Sequence, residues 1–343
     1  MMPPNLNWLR LQRLQLQRLQ LQWLQRVLVW AAVALAFCSL LRPCCALPPA
    51  TAVAAPEKVI LDTDIADDID DAYALALLAS APNVKLLGVT TTFGETGKRA
   101  QVAAKLLAAL GRNDVPVYAG RQGTSAIGHQ YEWARSFRSA ALKPEDAALF
   151  LKTQIDQAPG QITLVGIGPL MNLGDLLTRY PEVKPKIRRI VLMGGAVYAS
   201  YNGQAPTMPE WNISRDPAAA RIVFTSGVPL VMAGLEVTTT LHLDAERQKR
   251  IFADGTPGTD ALAALTNLWG GGTPTLFDVA AVAYALGHRF CDEERDHVVV
   301  DDSGLTLITD GPPNITVLIH SHPDLFLDWY VSILRTQIAG DKI

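Results

Sequence analysis

From residue 58 onward, short apolar segments alternate with longer segments of helical periodicity. The apolar segments KVILD, VKLLGVTTTF, VPVYAG, QITLVGIG, IRRIVLMGG and VPLVMAG have the length of strands, and DDAYALALLAS and GKRAQVAAKLLAAL are typical of the helices between them. Continuously apolar strands separated by helices are typical of a parallel sheet that helices cover on both faces. The sequence therefore predicts an α/β fold with a mostly parallel open sheet. The C-terminal part adds shorter strand patterns, HVVVDD, GLTLITD and ITVLIH, and a last helix from about Pro323.

The length and composition of the chain favour one large globular domain. Of its 343 residues, 49% are hydrophobic and 18% are charged, which is enough to bury a sizeable core. No linker-like segment divides residues 56–343, so we predict a single domain there. The formal net charge of −3 gives no electrostatic reason to expect a nucleic-acid partner.

The first 55 residues have a different composition and read as a signal peptide with a low-complexity leader. A Leu-Gln-Arg tract over residues 9–25 precedes an apolar run over residues 27–41 and then a segment of small residues. This order is typical of a secretory signal, and the run is shorter than the roughly 20 residues of a membrane span. We expect cleavage near residues 52–55, export to the periplasm or medium, and no membrane association afterwards; an uncleaved anchor is the alternative. Only Cys291 lies outside the leader, so an intramolecular disulfide is not expected.

Six aspartates stand within ten residues between the first predicted strand and the first predicted helix, in the segment VILDTDIADDIDDAYAL. Their mutual repulsion would oppose folding unless a cation lies among them. A helix N-terminus favours acidic groups by about 0.3–1 kcal/mol, which accounts for one or two aspartates only. Calcium accepts 6–8 oxygen ligands, and ligands bind beyond the carboxyl ends of the strands in such sheets. The segment therefore predicts a site for a hard divalent cation such as calcium at that edge of the sheet.

Two other metal motifs compete for this segment. An EF-hand loop beginning at Asp62 would require Gly and Glu where the chain has Asp67 and Tyr73, and is excluded. A phosphatase of the haloacid-dehalogenase type begins with a strand ending in Asp-x-Asp, as VILDTD does, but Ala66 stands where Thr or Val is expected. That phosphatase remains an alternative function.

The segment DTDIADDIDDAYAL resembles the opening signature of the inosine-uridine-type nucleoside hydrolases. Further segments resemble the family in the same order: LLGVTTTFGET, GIGPLMNL, VLMGGAV with PEWNISRDPAAARIVF, and GGTPTLFDVAAVAY. The resemblance implies hydrolysis of the N-glycosidic bond of a ribonucleoside to free base and ribose. It also implies the family's Rossmann-like fold and a homo-oligomer. A non-catalytic exported protein of the same fold, which binds ribosides or calcium, is a further alternative.

The resemblance also implies residue roles. The calcium ligands would be Asp64, Asp71, Asp278 and the backbone carbonyl of Met171, and Asp64 would take a proton from the attacking water. The substrate would contact Asp70, Met193, Glu210 and Asn212 through its ribose.

The opening signature departs from the family in its spacing. Asp70 follows Asp64 by six positions where four is common, and Ala66 replaces a usual glycine. We equate Asp70 and Asp71 with the family's aspartate pair because only they precede Ala-x-Ala-Leu. Replacement of one of them by Asp67 or Asp68 is left open.

The residue before Asp278 is Phe277, where many relatives carry a histidine that protonates the leaving base. An aromatic wall suits a purine, because stacking makes N7 basic enough to take a proton from water. Trp133, Tyr131 or Trp269 could form the opposite wall. We therefore expect purine nucleosides to be favoured, with His129 as an alternative acid that would restore activity on pyrimidine nucleosides.

Overall fold

The computed structural model describes residues 56–338. Residues 1–55, for which the sequence predicts a signal peptide and leader, lie outside the described residues, as do residues 339–343. Within the described part, no helix is both long enough and apolar enough to cross a membrane.

A nine-stranded sheet in the order β4-β3-β2-β1-β5-β6-β7-β11-β8 forms the centre of the fold. Every neighbouring pair is parallel except β11 and β8, and β9 and β10 form a separate antiparallel pair. The predicted mostly parallel sheet with short C-terminal strands is thus confirmed. The strands are β1 Glu57–Thr63, β2 Val84–Thr91, β3 Val117–Ala119, β4 Leu142–Lys143, β5 Ile162–Gly166, β6 Arg189–Met193, β7 Leu230–Ala233, β8 Asp292–Asp296, β9 Val298–Val300, β10 Thr306–Ile308 and β11 Ile315–Ile319.

Helices follow most of the parallel strands and cover both faces of the sheet. They are α1 Asp70–Ser80, α2 Thr96–Ala109, α3 Tyr131–Ala134, α4 Ala147–Gln157, α5 Met171–Arg179, α6 Trp211–Ser214, α7 Pro217–Phe224, α8 Leu235–Thr238, α9 Ala245–Phe252, α10 Pro257–Trp269, α11 Phe277–Ala285 and α12 Pro323–Ile338. A 3-10 helix spans Pro181–Lys186.

The two faces of the sheet carry separate hydrophobic cores, which explains why its strands are continuously apolar. Val59 and Leu61 of β1 pack into the core that contains α1 and α11. Ile60, between them, packs into the opposite core, which contains α4 and α5. Successive side chains of a strand point to opposite faces, so a strand buried on both sides needs apolar residues throughout.

Strand β8 was not predicted, and its sequence DEERD explains why. Its residues are largely exposed, and the strand is held at the edge of the sheet by antiparallel pairing with β11. Charged residues blunt an exposed edge against pairing with other chains. Main-chain hydrogen bonds with β11, rather than hydrophobic patterning, therefore define this element.

Helix α1 does not use the aspartates as N-caps. Its N-cap is Ile69, which makes no side-chain capping bond, and every residue of α1 except Ser80 is buried. Neither Asp67 nor Asp68 therefore caps α1. Both lie in the loop that joins β1 to α1, at the C-terminal edge of the sheet.

Candidate active site

A cavity of about 390 Å³ lies at the carboxyl ends of β1, β5 and β6. Acidic side chains dominate one part of its wall: Asp64, Asp67, Asp68, Asp70, Asp71, Glu210 and Asp278. Aromatic side chains form another part: Tyr201, Trp211, Trp269 and Phe277. Ile167, Met193 and Asn212 complete it, and no Lys, Arg or His of the described chain lines the cavity.

The closest group of acidic oxygen atoms comes from Asp70, Asp71 and Asp278. One carboxylate oxygen of each lies within 4.8 Å of the others, and all three side chains are buried. Asp70 and Asp71 open α1, whereas Asp278 is the second residue of α11. Because α1 packs against α11, the fold brings together carboxylates from opposite ends of the sequence.

Burial strongly perturbs these carboxyl groups. It raises the pKa of Asp70, Asp71 and Asp278 well above the ordinary range, and the neighbouring carboxylates raise it further. Burial also raises the pKa of Asp64 to about 7, against the opposing effect of Arg99. Such a set of buried oxygen donors, with no cationic side chain among the lining residues, fits a hard divalent cation.

Asp64 lines the same cavity but is not one of the three residues in that closest group. It follows β1 directly, and its carboxylate packs against the loop after β5. A Cβ at Gly168 would lie 2.6 Å from Asp64 Oδ1 and 2.8 Å from its backbone nitrogen. Only a glycine therefore permits this approach. On the other side, the Thr63 hydroxyl donates a hydrogen bond to Asp71 and accepts one from Ile65 N at 3.1 Å.

The structure separates the two aspartate pairs of the signature. The Asp67 carboxylate forms an ion pair with Arg99 at 2.6 Å and accepts a hydrogen bond from Gly128 N at 3.0 Å. Asp68 is exposed at the cavity, and its Oδ1 accepts a bond from Ile69 N. Asp70 and Asp71 therefore face Asp278, whereas Asp67 faces Arg99.

Glu210 and Asn212 fasten the loops beyond β5 and β6. As the N-cap of α6, Glu210 accepts bonds from Asn212 N and Ile213 N, and also from Gly195 N at 3.0 Å. Asn212 Nδ2 lies 3.2 Å from the carbonyl oxygens of both Ile167 and Met193. Both side chains are buried and line the cavity beside Met193.

Tyr201 is a cavity residue that the sequence analysis missed. Its ring meets that of Phe277 edge to face, with the ring centroids 6.1 Å apart and the planes at 78°. Its hydroxyl accepts a hydrogen bond from Trp211 N at 2.8 Å. The only available signal was its position in the long polar loop after β6.

Other predicted residues lie elsewhere. His129 is exposed and does not line the cavity, and neither do Tyr131 or Trp133, so Trp269 is the only one of the three proposed opposite walls found there. Met171 is the first residue of α5 and is also absent from the lining, where Ile167 represents the loop after β5.

Comparison with known proteins gives consistent matches. The family model described as "Inosine-uridine preferring nucleoside hydrolase" matches residues 59–328. The chain is 30% identical over 303 residues to the pyrimidine-specific ribonucleoside hydrolase RihA of Citrobacter koseri, covering 79% of this chain and 95% of that protein. It is 32% identical over 301 residues to the probable uridine nucleosidase 1 of Oryza sativa subsp. japonica, covering 83% and 82% respectively. The structure of a purine-preferring ribonucleoside hydrolase from Gardnerella vaginalis superposes with a TM-score of 0.73 at 26% identity, covering 82% of this chain and 99% of that one.

Proposed function

The chain belongs to the inosine-uridine preferring nucleoside hydrolase family, and from this premise we propose that it is a calcium-dependent hydrolase with a preference for purine ribonucleosides. Nucleoside hydrolysis follows from the family. The metal, the residue roles and the base preference are the proposal. The observation that carries it is the group of buried carboxylates of Asp70, Asp71 and Asp278 beside an aromatic wall.

The proposed calcium ligands are Asp64, Asp71 and Asp278, which line the cavity. The family resemblance adds the backbone carbonyl of Met171, the first residue of α5. Bound there, calcium would supply Lewis-acid activation of water and an anchor for the ribose hydroxyls. The all-oxygen donor set supports this choice, because carboxylates and carbonyls suit calcium better than softer metals.

Asp64 is the proposed general base. Glycoside hydrolysis requires a group that activates water and a means of neutralising the leaving group. Asp64 would accept a proton from the water as the oxygen of that water bonds to C1′ of the ribose. The N-glycosidic bond breaks, and its electron pair leaves with the base. The loop after β5 packs against this carboxylate and restricts its direction.

The ribose is proposed to contact Asp70, Glu210, Asn212 and Met193. The first of these would accept a hydrogen bond from a ribose hydroxyl. The backbone bonds of Glu210 and the two carbonyl contacts of Asn212 hold these side chains in fixed orientations. A rigid polar wall of this kind orients the sugar with little loss of side-chain entropy on binding.

The base is proposed to lie against Phe277, whose ring meets Tyr201, with Trp269 as the opposite wall of the cavity. A purine can take a proton at N7 from solvent, whereas a pyrimidine leaving as an anion needs a positioned acid. No histidine of the described residues lines the cavity to serve as that acid. These observations support a purine preference. Two of the relatives, in contrast, are named as a pyrimidine-specific hydrolase and a probable uridine nucleosidase.

A reducing-sugar assay tests the function. The purified protein is incubated with inosine, guanosine, adenosine, uridine and cytidine, with calcium or after exhaustive chelation. We expect ribose release that is fastest with a purine nucleoside, is lost on chelation and returns with calcium. Full activity after chelation, with no calcium in elemental analysis, would refute the metal assignment. A uridine rate equal to that of inosine would refute the purine preference. Hydrolysis of a generic phosphomonoester alone would support the phosphatase alternative.

Export and self-association are also proposals. The order of basic, apolar and small-residue segments in residues 1–55 supports export, and the family resemblance supports a homo-oligomer. N-terminal sequencing of the protein recovered outside the cytoplasm, followed by light scattering, tests both. An intact N-terminus on a cytoplasmic monomer would contradict them.

A further inference from the structure

Arg99 is a fully buried cation next to the acidic site, although it does not line the cavity. It lies on α2 with no side-chain exposure. Its Nε donates to Phe93 O at 2.8 Å, and Nη1 donates to the carbonyls of Asp64 and of Ile65, the latter at 3.0 Å. Its Nη2 donates to Asp67 Oδ2 at 2.6 Å. A buried guanidinium is costly unless it is paired and hydrogen-bonded. Three of these four hydrogen bonds go to the aspartate loop, residues 64–69 between β1 and α1.

Asp67 joins this loop to a second one. While Oδ2 pairs with Arg99, Oδ1 accepts a hydrogen bond from Gly128 N at 3.0 Å. The buried Gln130 donates from Nε2 to the backbone carbonyls of Asp67 and Asp68, at 3.3 Å and 2.8 Å. Asp67 is therefore occupied by protein groups on both of its carboxylate oxygens.

The bonds of Arg99 bracket a strained residue. Ala66 has a φ of +93°, a backbone conformation that residues other than glycine rarely adopt. Arg99 holds the carbonyls of Asp64 and Ile65 immediately before it and the side chain of Asp67 immediately after it. The guanidinium thus fixes the backbone on both sides of the strained position, where the loop is longer than is common in the family.

We propose that Arg99 and Asp67 are a positioning pair that directs Asp64 into the cavity and thereby sets the affinity of the acidic site for a divalent cation. Neither residue is a ligand. The inference rests on the proposed function and adds a supporting group on this chain. Groups that orient metal ligands typically change metal affinity by about 10–100-fold when they are removed.

The test compares Arg99→Met, Asp67→Asn and the double variant with the wild type, all as full-length protein. Calcium affinity is measured by isothermal titration calorimetry, and folding of the metal-free protein by circular dichroism. Arg112→Met is the matched control, because Arg112 also binds a carboxylate, that of Asp114, and a backbone carbonyl, that of Ala79, outside the cavity.

Each single variant is expected to bind calcium about 10–100-fold more weakly. The double variant should be no weaker than Arg99→Met, because the two residues act as one unit. At saturating calcium, kcat for inosine should fall while KM changes by less than about twofold. Arg99 does not line the cavity, and Asp67, which does, has both carboxylate oxygens bonded to protein groups. Arg112→Met should lower only the melting temperature.

Folded Asp67→Asn with wild-type calcium affinity and kcat would overturn the inference, and so would additive losses in the double variant. If Arg99→Met fails to fold, calcium affinity is compared between Asp67→Asn and Asp67→Glu, which keeps the charge. A loss in Asp67→Asn alone would support the inference, and equal affinities would contradict it. Wild-type protein without nucleosidase activity would refute the proposed function, whereas the calcium titrations would still test the pair. An active wild type with unchanged variants would refute the pair alone.

Discussion

The backbone nitrogen of Asp278 donates a hydrogen bond of 3.1 Å to Asp70 Oδ2, across a separation of 208 positions in the chain. This bond joins the N-termini of α1 and α11, the two helices that carry the closest group of carboxylates. Both helix N-termini present partial positive charge to the same acidic group. The packing of these helices therefore builds the candidate metal site.

Neutralising one carboxylate of this group should separate metal binding from stability. We expect Asp278→Asn to weaken calcium binding and to reduce turnover by about 10²-fold or more. Removing one of several repelling buried charges should leave the metal-free protein at least as stable as the wild type. Calcium stabilises the state that binds it, so its effect on the melting temperature should shrink. Calorimetry and thermal melts with and without calcium measure both effects, and an unchanged calcium response would contradict the assignment.

Alanine substitution should have different effects on activity and calcium affinity at Asp70 and at Asp68. Asp70→Ala removes a member of the closest carboxylate group and should abolish activity. Asp68→Ala removes an exposed carboxylate whose hydrogen bond is local, so calcium affinity should stay within about threefold of the wild type, a change below 1 kcal/mol. Ribose release and calcium titration of both variants test this. An inactive Asp68→Ala together with an active Asp70→Ala would show that Asp68, rather than Asp70, corresponds to the family's aspartate.

The wall formed by Phe277 should determine the response to the base. Aromatic pairs contribute about 0.5–1.5 kcal/mol beyond burial, so Phe277→Ala should lower kcat/KM for inosine more than Phe277→Trp does. His129→Ala is the control, because His129 lies outside the cavity, and it should leave kcat/KM for inosine and uridine unchanged. A specific loss of uridine hydrolysis in His129→Ala would assign proton donation to that loop instead.

Gly168 should be intolerant of a side chain. A Cβ there would approach Asp64 Oδ1 to 2.6 Å, so Gly168→Ala must displace the proposed base, and a displacement of this kind can cost about 10²-fold in rate. Gly97→Ala is the matched control, because a Cβ at Gly97 meets nothing within 4 Å. Steady-state kinetics and thermal melts compare the two variants. Equal activity in both would show that the loop after β5 does not position Asp64.

His288 should make stability depend on pH in the acidic range. Its ring stacks on Trp329 with centroids 3.9 Å apart, and burial, followed by the charge of Arg289, lowers its pKa below 6.5. The folded state therefore binds the proton less readily than the unfolded state. The stability that the neutral His288 ring contributes is fully present above the pKa of the unfolded state. This contribution is lost as the pH falls from about 6.5. Thermal melts between pH 7.5 and 5 should show the wild type losing stability relative to His288→Phe; parallel curves would contradict this.

The sequence alone determined the architecture, and it predicted a site at the carboxyl edge of the sheet. Strands such as KVILD are apolar at successive positions because both faces of the sheet are covered, and that periodicity is a local property that can be read without coordinates. The crowding of aspartates after β1 likewise indicated a cation at the carboxyl edge of the sheet. The nine-stranded, mostly parallel sheet confirms the first of these predictions.

The tertiary structure decided which of these side chains meet. Asp278 reaches Asp70 and Asp71 only because α11 packs on α1, and Asp67 is assigned to Arg99 only because α2 passes behind the loop. The same holds for Tyr201 beside Phe277 and for the charged edge strand β8. Composition and spacing describe only residues that are close together in the sequence. Contacts between distant segments depend on the packing of whole helices and strands, which no local pattern encodes.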